Sequence, residues 1–121
     1  MLSKIVSFGY KFRNPSRDLP FDPVVRVVLD VRDGMPNPYR VQELRGLTGV
    51  DHPVVVWLSR QPRTEVFYRS LERRVRKLME DQGETELYLG CFGGQHRSVY
   101  LAERLAGQFG VPVEHLDKGK E

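Results

Sequence analysis

The densest chemistry in the chain lies in eight consecutive residues, Cys91-Phe92-Gly93-Gly94-Gln95-His96-Arg97-Ser98. An apolar run over 86–90 precedes them, and Val99, Leu101, Ala102, Leu105 and Phe109 follow at helical spacing, so the segment joins a strand to a helix. Gly93 and Gly94 let the backbone curl with its N–H groups inward, and the following helix turns its positive dipole end to the same point. Arg97 adds a planar fork suited to phosphate oxygens, His96 a further donor, and Gln95 and Ser98 short polar groups beside them. Such a turn takes an anion, and a phosphate group is the natural guest. On spacing alone, a tight connection with no ligand stays open.

A second chemistry is written in the same residues. Cys-x5-Arg-Ser at a strand-to-helix turn resembles the signature of cysteine-dependent phosphatases, in which a thiolate attacks phosphorus, arginine holds the oxygens and an aspartic acid protonates the leaving group. Cys91, Arg97 and Asp33 would take those catalytic parts. Gly90 stands where those enzymes usually carry histidine, and no general-acid loop is evident, so a binding module is preferred to an enzyme. The spacing of His52, His96, His115 and Cys91 fits no zinc site, and there is no GxxxxGK[ST] phosphate loop. No metal and no cofactor is expected.

These residues need a scaffold. Apolar runs over 4–8, 24–31 and 86–90 read as strands, the second as an interior one because of its β-branched, nearly unbroken apolarity. Residues 10–23, with three prolines, read as a surface loop without a folded element, and 33–38 as a shaped loop. A short helical turn over 41–45 leads to Leu47-Thr48-Gly49, and Asp51-His52-Pro53 fits the cap of a helix starting at Pro53, the preferred reading, although by periodicity 54–58 fits a buried strand equally well. Residues 64–81 form an amphipathic helix, with Thr64 as N-cap and Gly83 as stop; its inner face is Phe67, Leu71, Val75 and Leu78. A helix over 98–109 ends at Gly110, and 111–113 gives a last strand. Alternating strands and helices predict a single α/β layered domain over 1–121, with a small, mostly parallel sheet flanked by helices.

In such sheets ligands lie beyond the carboxyl ends of the strands. That rule gathers Gly9 and Lys11 after strand one, Asp30, Arg32 and Asn37 after strand two, and the Cys91 turn after strand three. Arg32 is then a second cation for the phosphate, with Asp30 or Asn37 on hydroxyl or amino groups of the guest, while salt bridging and turn formation stay equally open for each residue taken alone. The chain of 121 residues is long enough for one core, and no apolar run approaches a membrane span. One cysteine excludes an intrachain disulfide. The N-terminus lacks the pattern of a signal peptide, so a soluble cytoplasmic protein without membrane partners is expected. A net charge of +3 favours anionic partners only weakly.

Phe8-Gly9-Tyr10-Lys11, Asp30-Val31-Arg32, Pro36-Asn37-Pro38, Leu44-Arg45, Leu47-Thr48-Gly49 and the block over 90–99 together resemble, in order and spacing, the C-terminal domain of the RNase adapter protein RapZ family. The resemblance implies a regulatory domain that senses an amino-sugar phosphate, glucosamine 6-phosphate, and binds small RNA. The implied pocket is Asp30, Arg32, Cys91, Gly93, Gly94, His96 and Arg97. No segment here matches the nucleotide-binding domain of full-length members, so the chain reads as a free-standing version. Its tail, 114–121, lacks their dense basic run. RNA contact then falls to Lys11 and to Arg69, Arg73, Arg76 and Lys77 on the long helix, whose interleaved glutamates also suit a solvated face. A homo-oligomer is a further partner that this reading allows.

Overall fold

A computed structural model describes residues 1–18, 24–81 and 83–120. Four strands, β1 (Leu2–Gly9), β2 (Val25–Asp30), β3 (Thr85–Cys91) and β4 (Val113–His115), form one all-parallel sheet in the order β2-β3-β1-β4. A four-residue helix, α1 (Pro15–Asp18), follows β1; α2 (His52–Ser59) and α3 (Pro62–Glu80) lie between β2 and β3, and α4 (Arg97–Phe109) between β3 and β4. This is the α/β arrangement expected from the alternation of elements.

Period-2 alternation assigns the two faces of the sheet. Ile5, Leu87 and Leu89 face the helices and pack with Val54 and Leu58 of α2, Leu71 and Val75 of α3, and Leu101 and Leu105 of α4. Val6, Phe8 and Tyr88 face the other way, under Tyr10, Val28 and Leu116. Burial of the side chains on the first face, at about 1.5–3 kcal/mol each, is what holds α4 and therefore the turn before it.

Several expectations are corrected. β2 is an edge strand, paired on one side by β3, and Val25 is 58% exposed. Its apolarity reflects cover over both faces, since Val27 and Leu29 join one cluster and Val28 the other; face cover says nothing of lateral neighbours. The loop over 10–23 carries α1, and its residues 19–23 lie outside the described ones. In place of one turn over 41–45 there are two 3-10 turns, Pro38–Arg40 and Gln42–Leu44, separated by an extended Val41. Asn37 starts the first by accepting from the Tyr39 N–H at 3.1 Å.

Helix boundaries shift as well. α2 starts at His52, and the Asp51 carboxylate turns back to the Thr48 N–H at 2.7 Å instead of capping the helix. α3 starts two residues before Thr64, because Pro62 fits the first turn, where no N–H is needed. Thr64 is therefore a buried residue inside the helix and not its cap. The last strand begins at Val113, not Val111: the Val111 N–H goes to Ala106 O at the end of α4, and the Pro112 carbonyl takes Ile5 N–H at 2.9 Å.

Candidate functional site

β1 and β3 end side by side, Gly9 opposite Cys91, and their following loops open into a cavity of about 490 Å³. Lys11 and Phe12 come from the segment after β1, and Asn37, Tyr39 and Arg45 from the turns after β2. Cys91, Phe92, Gly93, Gln95, His96 and Arg97 come from the turn into α4, and Lys120 from the C-terminal segment. Lysine or arginine thus reaches this rim from four parts of the chain, and no carboxylate is among the lining residues. Among the described residues, nothing accepts from the backbone N–H groups of 92–96, which head the 13-residue α4. Free amides at a helix start beside clustered cations are chemically suited to an anion.

Arg97 is only 7% exposed. One terminal nitrogen donates to the Arg32 carbonyl, and its buried Nε has no protein acceptor. Burial pushes the guanidinium below its ordinary range, though arginine stays cationic throughout. A buried, charged donor without a partner is costly, and Arg97 itself is among the residues that line the cavity, which sets its positive charge beside any anion that enters. His96 is buried too, and burial lowers its pKa, so the ring is neutral at pH 7 with Nε2–H donating to Leu44 O at 3.0 Å.

Of the residues expected at the site from sequence, the structure brings Asn37, Cys91, Gly93, Gln95, His96 and Arg97 to the cavity. Asp30 and Arg32 stand outside its lining and pair with each other, Arg32 Nη2 to Asp30 Oδ2 at 2.6 Å, with the guanidinium 4.3 Å from the Tyr10 ring. That pairing holds the Asp30 carboxyl below the usual range. Gly94 packs against Gly9, and Ser98 bonds Cys91 Sγ at 3.1 Å and the Phe8 carbonyl at 3.3 Å. Phe12, Tyr39, Arg45, Phe92 and Lys120 were not anticipated here. Phe92 lies inside the motif itself and Arg45 inside the Leu44-Arg45 block, so both were signalled; Phe12 and Lys120 arrive only through tertiary packing.

The phosphatase alternative finds no support in this geometry. Cys91 is buried, and its Sγ is engaged at 3.1 Å by Ser98 Oγ, which also reaches the Phe8 carbonyl at 3.3 Å. Asp33 is exposed and absent from the cavity lining. Of the basic residues expected to contact RNA, Lys11 lines the cavity, whereas Arg69, Arg73, Arg76 and Lys77 are exposed along α3, with Arg76 3.7 Å from Glu72. Among the described residues no cluster of His, Cys, Asp or Glu forms a metal site, and no helix is long and apolar enough to cross a membrane.

Comparison with known proteins decides the family. The pattern of the RapZ C-terminal domain matches residues 1–117. The chain belongs to the RapZ C-terminal domain family. A nucleotide-binding protein of Lactiplantibacillus plantarum is 40% identical over 123 residues, spanning 94% of this chain and 39% of its own length. One from Heliobacterium modesticaldum is 39% identical over 127 residues, spanning 97% and 40%, and one from Stutzerimonas stutzeri 38% over 117, spanning 93% and 38%. The chain therefore covers about two fifths of the length of these RapZ-type relatives.

Proposed function

We propose that the cavity at the Cys91–Arg97 turn binds a phosphorylated metabolite, an amino-sugar phosphate such as glucosamine 6-phosphate, and that the domain acts as a regulatory sensor without catalysis of its own. The observation that carries this reading is Arg97, more than nine-tenths buried, with Nε unpartnered, at a cavity that Lys11, Arg45 and Lys120 also line. Its guanidinium, the amides of 92–96 and the ammonium groups address the phosphate. Asn37 offers hydrogen bonds to sugar hydroxyls, and exposed Tyr39 and Phe92 offer flat apolar faces. The names of the relatives, nucleotide-binding proteins, agree with a phosphorylated guest in the wider family. Sensing of a metabolite pool suits a cytoplasmic location.

Calorimetric titration with glucosamine 6-phosphate, glucosamine and inorganic phosphate tests it. Heat is expected with the first and third and not with the second. Arg97→Ala should weaken phosphosugar binding about 10- to 150-fold, the equivalent of the ~1.5–3 kcal/mol of a hydrogen bond to a charged group. Arg45→Ala, at an exposed residue, gives a smaller loss without disturbing the core. Silence with every phosphosugar, or an Arg97→Ala protein that binds as tightly as its parent, would remove the reading.

A further inference from the structure

We infer that residues 117–120 form a latch held by Gln95, and that seating this latch and filling the anion cavity stabilise one another. The inference rests on the phosphate reading above. Gln95 belongs to the anion turn and lines the cavity, yet its amide is committed to the C-terminal segment. The two hydrogens of Nε2 are shared among Asp117 O at 2.7 Å, Lys120 O at 3.0 Å and, within the turn, Gly93 O at 2.9 Å. Oε1 accepts from Gly119 N–H at 2.7 Å. One side chain thus ties the loop that would hold the anion to three residues of the tail.

Asp117 anchors the other end of that segment. Its fully buried carboxylate takes the Gly9 N–H at 2.8 Å, a fork from Arg13 with its closest contact at 2.6 Å, and the Lys120 ammonium at 3.0 Å. Lys120 is half exposed and borders the cavity. Its ammonium can therefore turn from Asp117 to an anion while Arg13 and Gly9 keep the buried carboxylate paired. The guest gains this cation only while the latch is seated, so each event favours the other, with equal coupling in both directions. The position of the C-terminal segment then becomes the output of the site.

Amide exchange at Gly119, followed by 15N NMR with and without inorganic phosphate, reads the latch directly. Phosphate should slow that exchange about tenfold, within the usual range of coupling between sites. Gln95→Ala should speed exchange in the absence of phosphate and weaken phosphate binding about threefold to tenfold. Lys120→Ala, at an exposed side chain that does not endanger folding, should weaken binding by a similar factor and leave Gly119 unresponsive to phosphate. If phosphate binds in an Arg97-dependent way while Gly119 exchange stays unchanged, the latch is overturned and the cavity stands. If phosphate does not bind at all, both fall.

Discussion

Replacing Gly94 with alanine is expected to cost about 2–5 kcal/mol of stability, seen as a lower urea midpoint at unchanged slope. Gly94 has φ +70°, a conformation that side-chain-bearing residues adopt only at a cost of about 1–3 kcal/mol. A methyl there would also stand 2.7 Å from Gly9 N and 3.0 Å from the Asp117 Cβ. Neither neighbour can yield, because Gly9 N is bonded to Asp117 and the strand below is paired along its length. Forced overpacking adds about 1–3 kcal/mol more. Gly110→Ala separates the two causes: it shares a positive φ of +67° but faces open space, so only the same backbone cost of about 1–3 kcal/mol should appear. Equal losses at both positions would mean that the close approach of Gly9 and Gly94 contributes nothing.

That contrast also marks how far the sequence can be read. The adjacent Gly93 and Gly94 look alike in a string of letters, and both fit the shaping of an anion turn. In the structure Gly93 has ordinary φ and borders the cavity, where a methyl group would meet a flexible Gln95 carbon at 3.8 Å, whereas a methyl group on Gly94 would run into the backbone of Gly9 in β1. β1, β3, the turn and α4 were legible because apolar runs ending in glycine, followed by 3.6-residue spacing, are local signals. The edge position of β2 was not, since lateral order is fixed by long-range pairing with β3. Salt bridging was one of two readings open for Asp30 and Arg32, and what selects it, the point where β2 ends and the Tyr10 ring that Arg32 covers, is set by the fold. Lys11, expected on a strand-end rim, does line the cavity; Lys120 reaches it from 25 residues beyond Gln95, through Gln95 and Asp117, by contacts that no spacing rule anticipates.

Asp117→Asn should be the most damaging isosteric change in the C-terminal segment, at about 2–4 kcal/mol. Removing one member of a buried ion pair typically costs about 3–5 kcal/mol, because the remaining charge is left without compensation. The lower range applies here because Arg13, one-third exposed, can turn to water, whereas the buried Gly9 N–H cannot. The same carboxylate makes stability depend on pH. Burial alone would raise its pKa, but the Arg13 fork, the Gly9 N–H and the Lys120 ammonium outweigh burial and hold it below the ordinary 3.8. A depressed folded-state pKa means that the unfolded chain takes up the proton first. The contribution of Asp117 is therefore fully present above the unfolded value, about 3.9, and is lost as pH falls from there through the folded value. Asp30 and Glu65, also depressed by arginine partners, add to the acid limb of the parent protein, so the informative quantity is the difference between the two proteins. Urea midpoints of parent and Asp117→Asn should lie far apart at pH 7 and begin to converge as pH falls below about 3.9. A gap that stays constant to pH 2 would show that the ionised carboxylate at 117 is not what ties β1 to the C-terminal segment.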